Sequence, residues 1–141
     1  MLNSEHLGKV EKKPALLALV EEKWIDQASI CFNSGREIVY FCTNSNIKAV
    51  SSMGIKNVYF KIKGKKYIGY KADLVGFKDK NPKELRLPGR ENETAKYYYG
   101  YKNLRILNDI VNLTDLGYFK SGVKLRTDVP GACIISDPQV E

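Results

Sequence analysis

The chemistry-bearing side chains of this chain are mostly lysine, arginine and tyrosine. The stretch KYYYGYKNLR, Lys96 to Arg105, places four tyrosines, two lysines and an arginine within ten residues. Aromatic faces stack on unpaired or flipped bases and cationic side chains neutralise phosphates, so this interleaving is the chemistry of nucleic-acid binding. The same residues also suit a sheet, because a tyrosine ring covers apolar surface while its hydroxyl reaches water. Composition of the segment alone does not separate a stacking platform from a tyrosine-rich core strand.

Charge narrows the choice. The chain carries a formal net charge of +7, and its distribution is uneven: residues 1–50 hold six Lys/Arg and six Asp/Glu, residues 51–105 fourteen and five, and residues 106–141 three and five. The whole positive excess lies in the middle, coincident with the aromatic stretch, and a localised basic surface concentrates polyanions. Tyr59, Tyr67, Tyr99 and Tyr101, with Lys61, Lys63, Lys71 and Arg105, supply both stacking and neutralising groups. Lys65 and Lys66 at a hairpin tip, Arg86 and Arg90 in a long loop, and Lys102 extend the same basic surface.

The usual catalytic constellations are missing. The one histidine is His6, near the N-terminus, so histidine triads and histidine-based metal sites lack their parts. KIKGKK has a single glycine and no following Ser/Thr, unlike a phosphate-binding loop. Asp73 beside Lys71 reads as a cross-strand ion pair rather than a catalytic acid. Cys31, Cys42 and Cys133 are an odd number without a C-x-x-C pair, which fits reduced thiols in a cytoplasmic protein. PALLALV is too short an apolar run to span a membrane.

These groups must be positioned by an alternating set of elements. Residues 1–13 are polar and read as a flexible tail. From Pro14, Leu17, Val20, Trp24, Ala28 and Cys31 recur at steps of three and four, predicting one helix within 14–35 that ends at Gly35. A strand over ASICF is the competing reading of its last part. EIVYFCT predicts a buried strand, and NSNIKAVSSMG a short helix capped by Asn44 or Ser45 and stopped by Gly54. NVYFKIK and KYIGYKADLVGF predict a hairpin with Val58, Phe60 and Ile62 on an apolar face and Tyr59, Lys61 and Lys63 on a polar one. A polar loop over 78–95 leads to the tyrosine strand, on which Tyr99 and Tyr101 are expected to be accessible beside Arg105, with Tyr98 packed inward. A short helix around Asp109 to Leu116 and two closing strands, GVKLRT and ACIIS, joined by a turn at 128–131, complete the reading.

The order IVYFCTNSN, helix, NVYFKIKGKKYIGYKADLVGF, long loop, strand, FKSGVKLRTDVPGACII resembles the PUA-like superfamily, and within it the EVE-type domains that read modified bases. The resemblance covers about Glu37 to Asp137 and implies a small barrel with a base pocket beside the loop after the opening strand. Carried over, it implicates Thr43, Asn44 and Ser45, with Tyr40 or Phe41 as aromatic walls. The chain departs from that pattern in lacking a tryptophan in the opening strand; Trp24 lies in the preceding helix. The G-x-K-x-x-E-x-R signature of the related ASCH domains is absent.

The expectation is therefore an α+β fold: a small, bent, mostly antiparallel sheet or barrel, PUA-like, over 36–141, packed by two or three helices including the N-terminal one. Its expected partner is nucleic acid, DNA or RNA, with no cofactor, no metal, no membrane and no catalytic residue. A small-ligand or protein-interaction domain with an incidental basic face is the alternative, and a nucleic-acid-processing enzyme the third reading.

Overall fold

The computed structural model describes residues 12–126, 129 and 131–141. The tail expected over 1–13 lies almost wholly outside them, as does half of the turn expected at 128–131. The elements are β1 (Pro14–Val20), α1 (Glu22–Asn33), β2 (Val39–Thr43), α2 (Val50–Met53), β3 (Asn57–Ile62), β4 (Tyr67–Lys78), β5 (Tyr97–Asn112) and β6 (Ala132–Ser136). The strands make one curled half-barrel in the order β2-β5-β4-β3-β1-β6, in which β1 and β3 run parallel and the other pairings are antiparallel. The expected α+β class holds.

The helix expected from Pro14 begins only at Glu22, and PALLALV is a central strand. β1 pairs with β3 on one side and β6 on the other, and Ala15 to Ala18 are at most 1% exposed. A strand covered on both faces shows an unbroken apolar run, which by chance placed Leu17 and Val20 in step with the helix that follows. The Glu21-Glu22 pair marks the change, Glu22 falling in the first turn where a helix favours negative charge. Ile25, Ala28 and Cys31 then face the sheet.

Two cores sandwich the sheet. On one side, α1 packs against Leu16, Ala18, Phe41, Val58, Phe60, Tyr99 and Tyr101. On the other, Ala15, Leu17, Tyr59 and Ile68 are covered by Leu107, Leu113, Leu116, Leu125 and Ile135. This second core overturns the expected polar face of the hairpin: Tyr59 is fully buried, and Lys61 and Lys71 are 6% and 4% exposed. The alternation holds along β3, but the register shifts between Ile68 and Tyr70 on β4, which puts Ile68 in the second core and Tyr70 and Ala72 in or against the first.

The helix expected around Asp109 to Leu116 is instead the end of β5 followed by one 3-10 turn at Leu113–Asp115. The strand expected over 122–127 reduces, among the described residues, to a bridge between Lys124 and Gly117. Gly54 ends α2 with φ 66° as expected. Neither Asn44 nor Ser45 caps that helix, which starts later, after Ala49.

Candidate functional site

The long loop expected to be functional folds back over the end of the sheet. Arg86 organises it: Nη1 donates to Asn81 Oδ1 (3.1 Å) and to the Glu93 carbonyl (2.7 Å), Nη2 donates to Cys42 Sγ (3.3 Å), and the guanidinium lies 5.3 Å from the Tyr98 ring centroid. The Arg86 carbonyl accepts from Arg36 Nη1 at 2.6 Å, and residue 86 bridges Tyr40 on the outer edge of β2. Arg86 is 2% exposed, so it is a staple rather than a surface contact for phosphate.

Beneath this loop is a cavity of about 20 Å³, room for roughly one water molecule. Its aromatic walls are Trp24 from the first turn of α1, Phe41 from β2 and Tyr99 from β5. The Trp24 and Phe41 rings meet edge to face at 6.3 Å, and Phe41 meets Tyr99 in the same way at 6.1 Å. The polar walls are Cys42, Arg86, Arg90 and Glu93. The Arg90 guanidinium sits 3.9 Å from the Trp24 ring centroid and is ion-paired with Glu93. Cys42 Sγ donates to Glu93 Oε1 at 3.2 Å.

Two donors at this cavity are unmatched. Trp24 Nε1 and Arg86 Nε are buried without a hydrogen-bond partner. An unpaired buried donor costs about 1–3 kcal/mol, and most such groups in native proteins find a partner. Electrostatics here are tuned as well. Burial, then the hydrogen bond to Glu93, raises the Cys42 thiol above its ordinary value. Burial alone would raise the Glu93 carboxyl, but hydrogen bonds from Cys42 and Arg90 and the charge of both arginines bring it below the usual range.

The structure brings together Phe41, Tyr99, Arg86 and Arg90 from the residues singled out in the sequence, and disperses the rest. Tyr99 and Tyr101 are 2% and 0% exposed, which corrects the expectation that they form an accessible pair; Tyr98 is buried too, on the opposite face. Arg105 does not lie beside them, because Asn103 adopts φ 54° and shifts the β4–β5 register between Lys71 and Asp73. Arg105 instead bonds Asp73 (3.2 Å) and Glu141 (2.9 Å), and Lys71 pairs with Glu141 and the Val140 carbonyl (2.9 Å). Both cations expected on a polyanion surface are thus engaged within the chain. They hold the Glu141 carboxyl down at about 2.

Thr43, Asn44 and Ser45 serve as loop ties and do not line the cavity. Thr43 Oγ1 accepts from Ser45 N (3.1 Å), Asn44 Oδ1 from Lys96 N (3.0 Å), and Ser45 Oγ from Ala132 N (2.9 Å). Tyr40 lies over two glycines of the neighbouring strands. Tyr67 is half-buried at the start of β4, and Lys102 is exposed opposite Asp73. Lys63, Lys65 and Lys66 are exposed at the β3–β4 tip, and this tip adjoins the cavity: Lys63 N donates to the carbonyl of Val20, a cavity residue, at 2.8 Å. Reading the sequence missed Trp24, Cys42 and Glu93 as site residues; the one signal available was that Trp24 is the only tryptophan.

No protein-family model matches the sequence, and no curated protein matches it significantly. Among solved structures, the chain is similar to the YTH domain of the Zygosaccharomyces rouxii MRB1 protein in complex with N6-methyladenosine RNA. The TM-score is 0.51 at 11% identity, over 92% of this chain and 85% of that one. At this identity the likeness is one of fold.

Proposed function

We propose that this chain is a nucleic-acid-binding module that receives a single extruded or modified base in the cavity beneath the 83–95 loop. The observation that carries the reading is the pair of unpartnered buried donors, Trp24 Nε1 and Arg86 Nε, at a cavity walled by Trp24, Phe41 and Tyr99. The fold likeness to a YTH domain solved with N6-methyladenosine RNA supports it, as does the resemblance of the sequence to EVE-type domains.

A base does not fit a water-sized space, so Arg90 must leave the Trp24 face. The exchange is energetically balanced. Leaving costs a cation–π contact of about 0.5–2 kcal/mol and a partly exposed ion pair of at most about 1 kcal/mol. A base stacked on Trp24 returns about 1–3 kcal/mol, and its ring nitrogens or carbonyls can accept from the two orphaned donors. The lysines of the β3–β4 tip next to the cavity supply the backbone attraction.

Trp24 reports on its own site, since no other tryptophan contributes fluorescence. Titrating single-stranded RNA and DNA with and without N6-methyladenine should change its emission saturably at low salt. Arg90→Ala, with nothing to displace, should bind about 2–30-fold tighter. Trp24→Ala should lose about 10–100-fold in oligonucleotide retention. If neither RNA nor DNA is retained at low salt and Trp24 emission does not move, the base-site reading is wrong and the protein-interaction alternative takes its place.

A further inference from the structure

A groove of about 830 Å³ is formed by the 46–53 segment, the 118–121 turn and the first half of β6. Its rim carries Lys48 and Lys120 with Ser51, Ser52 and Ser121, and Tyr118 stands in its wall. The rest of its lining is apolar, from Ala49, Met53, Ala132, Cys133 and Ile134. Among the described residues no carboxylate lines it, and neither lysine is ion-paired.

Groove and cavity share one backbone junction. The Gly131 carbonyl accepts from Leu19 N at 2.8 Å, and Leu19 is a wall of the Trp24 cavity. One residue on, Ala132 is a wall of the groove, and its N–H donates to Ser45 Oγ at 2.9 Å. Gly131 has φ 62°, and a Cβ there would collide with Ser45 Oγ, so the loop after β2 packs tightly on this junction. The two sites are thus held in fixed relation by a hydrogen-bonded seam.

We infer that this groove is the track for the nucleotides flanking the base, with phosphates near Lys48 and Lys120 and one base stacked on Tyr118. Two cations with no carboxylate partner among the described residues and one aromatic ring beside them are what a single strand requires; the Ser51 and Ser52 hydroxyls donate to the Lys48 and Ala49 carbonyls. An acidic peptide would meet the same cations, but the Tyr118 ring beside them gives a base a stacking face that an acidic side chain does not use. The inference rests on the base-site reading, and the two are separable by experiment.

Lys48→Glu/Lys120→Glu, its neutral counterpart Lys48→Ala/Lys120→Ala, and Tyr118→Ala are compared with the parent and with Lys78→Glu/Lys80→Glu as a charge control away from the groove. Two probes are used: free N6-methyladenosine, read by Trp24 emission, and a nine-nucleotide single strand carrying the same base, read by fluorescence anisotropy over a salt series. The neutral variant should weaken oligonucleotide binding by at least tenfold and flatten the slope of log K against log salt by about 1.4, roughly 0.7 for each phosphate of a single strand no longer neutralised. Tyr118→Ala should weaken it by about 5–100-fold. None of the groove variants should alter nucleoside binding. Oligonucleotide affinity that falls no more than in the charge control overturns the groove, while leaving the base site standing if the nucleoside still binds. Failure of the parent itself to bind the nucleoside sinks the base-site reading, and the groove is then retained only if the oligonucleotide still binds in a Lys48- and Lys120-dependent way.

Discussion

Tyr101 is fully buried among Phe32, Phe41 and Phe60, with ring centroids 5.8, 5.1 and 5.0 Å away, and its hydroxyl has no partner. Ring and hydroxyl therefore pull stability in opposite directions. Tyr101→Ala removes a large core side chain and should cost about 3–5 kcal/mol in urea unfolding. Tyr101→Phe deletes only a desolvated, unbonded group and should be neutral or stabilising. A loss of more than about 1 kcal/mol in the phenylalanine variant would show that the hydroxyl is bonded after all. The orphans at Trp24 and Arg86 differ from this one in setting, because both residues line a water-sized cavity rather than a packed aromatic cluster.

At the scale of elements, the glycine inside YYYGY has a specific task. Tyr40, Gly100 and Gly76 are neighbours across β2, β5 and β4, and the Tyr40 ring lies flat over both glycines. A Cβ on Gly100 would stand 2.5 Å from Tyr40 Cζ and 2.6 Å from Cε1. Gly100→Ala should therefore cost about 1–3 kcal/mol by forcing the ring off the sheet. In a Tyr40→Ala background the same change should cost nothing or stabilise slightly, since alanine has less chain entropy to lose than glycine. Urea midpoints of the four proteins in this cycle measure the coupling; equal costs in both backgrounds would mean that the ring is not what requires glycine.

Across the whole molecule, burial of acids gives the fold a defined alkaline limit. Burial raises the phenols of Tyr40, Tyr59, Tyr70, Tyr99 and Tyr101 above their ordinary value, and at Tyr59 the hydrogen bond it donates to Asp137 adds to this. Burial likewise pushes the Cys133 thiol up to about 11. Each group is an acid whose folded pKa exceeds its unfolded one, so its contribution is complete below the unfolded value and is lost as pH rises toward the folded value. Unfolding free energy should hold steady from pH 7 to about 9 and fall steeply between about 9 and 11. Phenolate absorbance should show part of the tyrosines titrating only together with loss of fold. A flat stability profile to pH 11 would contradict the burial of these groups.

The sequence by itself determined the class of fold and most strand positions, because β-branched and aromatic alternation in VYFCT, NVYFKI and YIGYKA is a local property of the chain. It also determined the face relations of the tyrosine stretch, since side chains alternate with period two wherever a strand runs. It singled out the loop carrying Arg86 and Arg90 by length and polarity. What lay beyond it was which faces would be covered. Tyr59 is buried because Leu107, Leu113, Leu116, Leu125 and Ile135 close over it, Lys71 is engaged by Val140 and Glu141, and the Tyr99/Tyr101 face is covered by α1. PALLALV reads equally as helix or doubly covered strand until its neighbours β3 and β6 are known. The candidate site itself joins Trp24, Phe41, Arg90 and Tyr99, residues up to seventy-five positions apart whose proximity is a product of strand order. Local pattern records what each segment prefers; only the tertiary structure decides which segments meet, and therefore which aromatic rings become core and which become walls.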